Sequence, residues 1–390
     1  MKKVRTFFGL VVVIVMIMTS CKSTQEDNLG MNSDAKTLAA RMVAGWNLGN
    51  TLEAHRDNPL ESETSWRNPL TTKAMIDSVA AAGFNAVRIP VRWYPHFKQT
   101  SHIEIEEAWM NRVKEVVGYC LDNDMYVLLN THHEHWLENA PFYKDSAEVC
   151  RKEKELWTQI ALAFQEYDER VLFAGTNEVH VTNDWNAPTQ ENADVQNRFN
   201  QAFIDAVRAT GGRNKYRTLI VQTYGTNSDY GPKFFKMPSD PTPNRLMVEI
   251  HYYDPGQYCA TGETKHWGKP FFEKGIANQG QEDFLNDIFS RLKTQFTDNG
   301  YPMILGEYGS SRWGVDKADE ESVNASRAYY YEQVVSVARK NGAVPFVWDN
   351  GYAAFGPDQF GLFDRWNSMK NIDTQTIKGI LKGAQTSYPF

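Results

Sequence analysis

The chain of 390 residues is short of the features that mark several large functional classes. It has four cysteines, and once Cys21 is set aside the remaining three, Cys120, Cys150 and Cys259, cannot form a closed disulfide framework. Cys120 falls in a helical pattern and reads as a small buried hydrophobe, while pairing of Cys150 with Cys259 stays open. Positive charge is scarce: 41 Lys and Arg face 48 Asp and Glu, a net charge of −7, with no basic run after the first five residues. A nucleic-acid surface needs clustered cations, so that partner is not expected. The glycine-rich turn of a dinucleotide-binding sheet is missing, because Gly45-Trp-Asn-Leu-Gly49 does not spell GxGxxG. His132-His133-Glu134-His135 is not a zincin motif, since Leu137 stands where its second histidine belongs and the segment leaves a strand. Neither a metal nor a cofactor is expected. Internal repeats, low-complexity linkers and a compositional shift to a second domain are absent too.

What is present begins with an N-terminal targeting segment. Lys2, Lys3 and Arg5 precede an apolar stretch from Phe7 to Met18, too short for a comfortable membrane span. Its end, Met18-Thr-Ser-Cys21, resembles a bacterial lipobox, which implies cleavage before Cys21 and lipidation of its sulfur. The expected division is a signal peptide over 1–20, a polar tether over 21–37 and one catalytic domain over 38–390. An extracytoplasmic protein, held to a bacterial membrane by its lipid, follows from that division, with the outer-membrane surface one destination; a monomer is expected.

From residue 38 onward, strand-like runs alternate with amphipathic helical patterns. The strands are expected at Met42–Leu48, Ala86–Ile89, Tyr126–Asn130, Val171–Gly175, Thr218–Gln222, Leu246–Ile250, Met303–Gly306 and Val344–Trp348. Helices are expected near 71–82, 107–122, 147–167, 190–209, 282–298, 320–341 and 373–383, with weak helical signal between the fifth and sixth strands. Eight such units predict the α/β class and a (β/α)8 TIM barrel. A doubly wound sheet is the runner-up.

In that barrel, chemistry gathers where the strands end. The ends read Asn47 and Asn50, Arg88, His132 and His133, Asn177 and Glu178, Tyr224, His251 and Tyr253, Glu307, and Trp348. Nearly every apolar run stops at a group that can titrate, hydrogen-bond or stack. Glu178 and Glu307 stand out as carboxylates closing buried strands. Two carboxyl groups about 5 Å apart are the equipment of a retaining glycosidase. The aromatic content of 13%, with 11 Trp and 18 Tyr, suits a cleft that stacks flat sugar faces.

The order and spelling of these motifs resemble glycoside hydrolase family 5, and within it the endo-β-1,4-glucanases and xyloglucanases. The resemblance rests on Gly45-Trp-Asn-Leu-Gly-Asn50, Asn85-Ala-Val-Arg88-Ile-Pro90, Asn130-Thr-His132-His133-Glu134, Asn177-Glu178, His251-Tyr-Tyr253-Asp-Pro255, Gly306-Glu307, Trp348-Asp-Asn-Gly351 and Phe360-Gly-Leu-Phe-Asp364. It implies Glu178 as general acid/base and Glu307 as nucleophile, with Arg88 and Tyr253 beside Glu307. Arg88 is expected to lower the Glu307 pKa. The resemblance further implies that Asn177 meets the sugar 2-hydroxyl, that His132 and His251 line the cleft, and that Trp348 floors a sugar site. Asn47, Asn50, His133, Trp136 and Tyr224 complete the expected substrate contacts, and the partner implied is a polysaccharide. Further wall candidates are Trp66, Trp185, Trp267 and Trp313. The sequence departs from the family at Ala174, where an acid or amide is usual, at Val179 in place of Pro, and at Arg67 in place of Gly. The alternatives are a mannanase or other glycanase of the same family, and a catalytically inactive glycan-binding lipoprotein.

Overall fold

The computed structural model describes residues 28–55, 63–98, 101–314, 316–367 and 369–390. Cys21, the predicted signal segment and the first part of the tether lie outside the described residues. Eight parallel strands close a barrel in sequence order: β1 (Gly45–Asn47), β2 (Ala86–Ile89), β3 (Tyr126–Asn130), β4 (Val171–Ala174), β5 (Leu219–Asn227), β6 (Leu246–Tyr252), β7 (Met303–Tyr308) and β8 (Ala343–Val347). The barrel shuts where Gly45 of β1 pairs with Phe346 of β8. A Cβ at Gly45 would fall inside the Phe346 ring, so the absent side chain makes room for the large one.

Helix α1 (Ala35–Arg41) comes before the barrel, and α2 (Lys73–Ala81) and α3 (Glu107–Leu121) follow β1 and β2. After β3 come a single turn, α4 (His135–Glu138), and the long α5 (Tyr143–Ala163), then α6 (Gln190–Ala209) after β4. Only the four-residue α7 (Gly231–Phe234) follows β5, in line with the weak helical signal there. Helices α8 (Gly256–Cys259) and α9 (Glu282–Gln295) follow β6, α10 (Glu320–Lys340) follows β7, and α11 (Thr374–Gly383) ends the ring. A two-stranded ribbon, β9 (Phe363–Asp364) with β10 (Lys370–Asn371), sits in the last connection. Helix starts carry their own signals. Thr189 and Asn192 cap each other at the start of α6, and Asp373 accepts the Thr376 N–H at 3.1 Å ahead of α11.

Each strand buries both faces, which is why the runs are apolar throughout. Leu128, Leu172, Ala174, Ile220, Met247, Ile304, Val344 and Phe346 fill the barrel. Ala174, the departure from the family on β4, is one of this packing layer. The same cluster takes in Ala35, Leu38, Ala39 and Met42, so α1 closes the N-terminal end of the barrel.

The folded body therefore begins before the expected boundary at residue 38. Met31 and Ala35 are buried, Ser33 bonds to Glu169 through both its N–H and its hydroxyl, and Arg245 donates to the Met31 and Ser33 carbonyls. A polar spelling hid a segment whose backbone is held by charged partners far along the chain. Among the described residues no helix is long and apolar enough to cross a membrane. Cys120, Cys150 and Cys259 are all free thiols, and Cys259 sits 3.2 Å from the Tyr330 hydroxyl.

Candidate active site

The strand register breaks three times near the C-terminal mouth: in β5–β6 after Gln222, in β6–β7 after Ile250, and in β7–β8 after Leu305. Bulges at a barrel rim re-aim the side chains beyond them. Here they set His251 of β6 opposite Glu307 of β7. The expected strand ends at Gln222, Ile250 and Gly306 fall at these breaks, and the strands continue past them.

The geometry around the two glutamates is dense. An oxygen of Glu178, an oxygen of Glu307 and a nitrogen of His251 all lie within 4.8 Å of one another. That is the spacing of a pair that attacks and protonates one glycosidic bond from either side, and it leaves no room for a water between carboxylates 6.5–9.5 Å apart, the roughly known range of inverting pairs. Arg88 reaches Glu307 with Nη1 at 2.9 Å and Asn177 Oδ1 with Nη2 at 2.8 Å. The Tyr253 hydroxyl donates to the second Glu307 oxygen at 3.0 Å. Nδ1 of His251 stands 2.7 Å from Glu178 and 3.7 Å from Glu307.

Burial pushes the Glu307 carboxyl up from its ordinary value, while the charges of His251 and Arg88 pull it back and Glu178 pushes with burial. The net direction is upward. This corrects the expectation that Arg88 would leave Glu307 below the ordinary value: the guanidinium acts as foreseen, but desolvation outweighs it. For His251 burial opposes the charge, and Glu307, Glu178 and Glu249 overcome it to hold the imidazole at about 9. His132 goes the other way, held well below its ordinary value by burial and by the cationic side of His133, Arg88 and His251. A divalent cation would find three donors in Glu178, His251 and Glu307, but it would face the Arg88 charge already 2.9 Å from Glu307. The His-rich segment offers no carboxylate to a metal either, because Glu134 accepts from the Trp93 and Tyr94 N–H groups and from Trp136 Nε1.

A cavity of about 700 Å³ opens above the pair, lined by His132, His133, Trp185, Tyr253, Trp348 and Phe360. The Trp348 and His132 rings lie parallel, 6.1 Å apart. Trp185 is 54% exposed, stacks on His180 at 3.9 Å and borders the cavity, as a wall candidate should. A second hollow of about 630 Å³ is lined by Trp66, Arg67, Tyr352 and the exposed Trp366, and the Trp66 ring meets that of His133 at 5.5 Å.

Several expected contacts are corrected. Asn47 has no exposed surface: its amide donates to the carbonyls of Gly306, Phe346 and Val347, and its oxygen accepts from Arg88. It positions Arg88 and ties the two ends of the sheet, and it cannot touch substrate. Tyr224 is buried with its hydroxyl accepting the Val181 N–H, so it braces the loop after β4. Trp136 is not overturned: it is half-buried, packs against the core and donates Nε1 to Glu134. Asn50, half-buried, is not overturned either: it sits at φ 57° with its backbone N–H donating to Glu53 and its carbonyl accepting from Asn68. Trp267 and Trp313 are buried, their Nε1 groups on the Gly280 and Tyr258 carbonyls. Asn177 is nearly buried between Arg88 and His132. The residue that sequence reading passed over is Glu249. It lies inside an expected strand, and a charged residue in the middle of an apolar run was the available signal.

Comparison with known proteins agrees with this geometry. The cellulase (glycosyl hydrolase family 5) model matches residues 52–354. A xyloglucan-specific endo-β-1,4-glucanase of Bacteroides ovatus is 40% identical over 369 residues, 92% of this chain and 72% of that protein. An endoglucanase A of Paenibacillus barcinonensis is 35% identical over 93% of this chain and 94% of its own length. Among solved structures, a Bacteroides ovatus family 5 xyloglucanase in complex with a XXXG heptasaccharide superposes with a TM-score of 0.85 at 39% identity, covering 92% of this chain and 78% of that one. A xyloglucan-specific β-1,4-glucanase from a ruminal metagenomic library, in complex with XXLG, gives 0.83 at 38% identity over 92% and 98%. With its barrel closed and its carboxylates paired at the mouth, the chain is a glycoside hydrolase and belongs to glycosyl hydrolase family 5.

Proposed function

We propose that the protein is an endo-β-1,4-glucanase that cleaves glucan backbones with retention, and that branched xyloglucan is its preferred polymer. The observation that carries the mechanism is the approach of Glu178 and Glu307 within 4.8 Å. Glu307 attacks the anomeric carbon while Glu178 gives its proton to the leaving oxygen, and the glycosidic bond breaks as the glycosyl-enzyme ester forms. Water then attacks the same carbon, Glu178 takes its proton, and the ester bond to Glu307 breaks. Arg88 and Tyr253 hold the attacking carboxylate with one oxygen each.

Two relatives named for xyloglucan support the branched polymer, as does the second hollow beside Trp66, which offers room for a side chain of the polymer. The lipobox spelling at Cys21 supports a membrane-anchored enzyme outside the cytoplasm. Initial rates on xyloglucan, barley glucan, carboxymethylcellulose and mannan test the substrate, and xyloglucan should be fastest. Mannan as the best polymer would overturn the reading. A 2-deoxy-2-fluoro glucosyl label is expected on Glu307, and a label on any other residue would refute the nucleophile assignment. Labelling with radioactive palmitate, lost in Cys21→Ser, tests the anchor.

A further inference from the structure

Under the two catalytic glutamates lies a third carboxylate. Glu249 on β6 is fully buried and sits two residues before His251, so both side chains leave the same face of the strand. One Glu249 oxygen is 2.9 Å from Arg88 Nε and 3.4 Å from His251 Nε2, and the other accepts from Gln222 Nε2 at 2.7 Å. The Arg88 contact is one of charge, because Nε makes no directed hydrogen bond there. Space for this carboxylate exists because the residue before Glu307 is Gly306, where a Cβ would collide with Glu249 Oε1. Glu249 thus touches the two groups that hold the catalytic pair: Arg88, which grips Glu307, and His251, which grips Glu178.

We infer that Glu249 is a positioning residue that keeps His251 in its cationic form, so that Nδ1–H is always donated to Glu178 and the alkaline limit of activity is set by this buried relay. The inference rests on the roles given above to Glu178 and Glu307.

The chemistry follows from donors and acceptors. With a proton on both ring nitrogens, His251 can only donate. Nδ1–H points to one oxygen of Glu178, which leaves the acidic proton on the other oxygen, facing the leaving group. After that proton has gone, the same Nδ1–H stabilises the carboxylate that waits for water. A neutral imidazole with its lone pair on Nδ1 would instead draw the acid's proton toward itself, away from the glycosidic oxygen.

Whether His251 is charged depends on everything that faces it. Glu178 from the end of β4, Glu249 on its own strand and Glu307 on β7 favour the cation. Burial opposes it, and so does the like charge of Arg88 on the same Glu249 oxygen; His132 at the end of β3, held well below its ordinary value, adds no standing charge. Of the three anions, Glu178 and Glu307 lose or share their charge during the reaction, one by protonation and the other by forming the ester. Glu249 takes no part in bond making. Burial opposes its charge, but Arg88, His251 and Gln222 outweigh burial and hold its carboxyl below the ordinary value. It is the one anion next to His251 that persists through the cycle.

Glu249→Gln keeps the shape and removes the charge. The expected result on the full-length enzyme is an alkaline limb of kcat/KM moved to lower pH by at least one unit, with thermal unfolding still cooperative. A residue that only packs would lower activity at all pH values and leave the limbs in place, and that outcome would overturn the inference. In a His251→Asn background the same change should no longer move the limb, because Glu249 acts through the imidazole. A further shift there would also overturn it. Should Glu249→Gln not fold, an NMR titration of the His251 ring in the wild-type enzyme decides. A midpoint above 8 is expected, and one near the ordinary value of about 6.5 refutes the relay. Loss of Glu307 labelling in the wild type would instead strike the catalytic assignment, so the two failures are distinguishable.

Discussion

Gly306 leaves the space that the Glu249 carboxylate fills, on the strand position just before Glu307. The pair fixes the floor of the site, because a side chain at 306 would push the acid off Arg88 and His251. Gly306→Ala is therefore expected to lower stability by about 1–3 kcal/mol, the usual cost of overpacking a dense interior. Activity should fall more than stability alone explains, since Arg88 loses its rear anchor. Chemical unfolding and kcat on the same preparation check this, and an Ala variant as active as wild type would contradict it.

Arg88 is the second test of the buried frame. Its guanidinium spans Asn47, Asn177, Glu249 and Glu307, four partners in different directions. Lysine keeps the charge but offers a point in place of a planar fork. Arg88→Lys should leave the fold intact and reduce kcat by on the order of 10²–10³, the size of effect seen when an aimed electrostatic donor is removed. KM should change little, because Arg88 is fully buried. A large rise in KM with kcat preserved would place the residue on the substrate instead.

The barrel was legible because alternation of apolar runs and amphipathic helices is a local property. β2 and β3 fall on their expected residues, as does α6. The ends of β5, β6 and β7 were not legible, since a bulge is decided by what the neighbouring strand does. Glu178, Glu307, Arg88, His251 and Tyr253 come together as the strand ends suggested. Asn47 and Tyr224 show where the rule fails. A polar side chain at a strand end either meets substrate or satisfies backbone groups nearby, and composition does not distinguish the two. Helix α1 was missed because its apolar stripe is only Ala35, Leu38 and Ala39, too short to read as periodic.

Arg67 illustrates a departure with a backbone signature. It adopts φ 64°, the left-handed region where the family's usual Gly is unstrained. Its carbonyl accepts from Trp366 Nε1 at 3.1 Å, which fixes the orientation of a ring that is 66% exposed. A ring held in that way beside the second hollow is suited to stacking on a sugar. Trp366→Ala should raise KM for long glucan oligosaccharides by about fivefold, near 1 kcal/mol of lost stacking, with kcat unchanged. Short oligosaccharides that do not reach the hollow should show no change. Equal effects on short and long substrates would refute the placement.

Glu153 carries the last prediction, and it concerns stability alone. The side chain lies on α5, fully buried, and neither carboxylate oxygen has a hydrogen-bond partner among the described residues. Burial pushes its carboxyl well above the ordinary value, with only Lys154 pulling the other way. A group whose folded pKa is raised binds its proton more tightly in the native state than in the unfolded chain. Its contribution is therefore complete at pH below the ordinary carboxylate value and is lost as pH rises toward the folded pKa. One proton makes that slope at most about 1.4 kcal/mol per pH unit. Glu153→Leu removes the buried acid at similar volume and should stabilise the protein at pH 7 by about 1–3 kcal/mol. The gain should shrink as pH falls to 4, where the wild-type carboxyl is largely neutral in both states. Thermal unfolding of both proteins between pH 4 and 8 measures it. A variant less stable than wild type at pH 7, or a gain that grows on acidification, would show that Glu153 is paired and charged in the native fold.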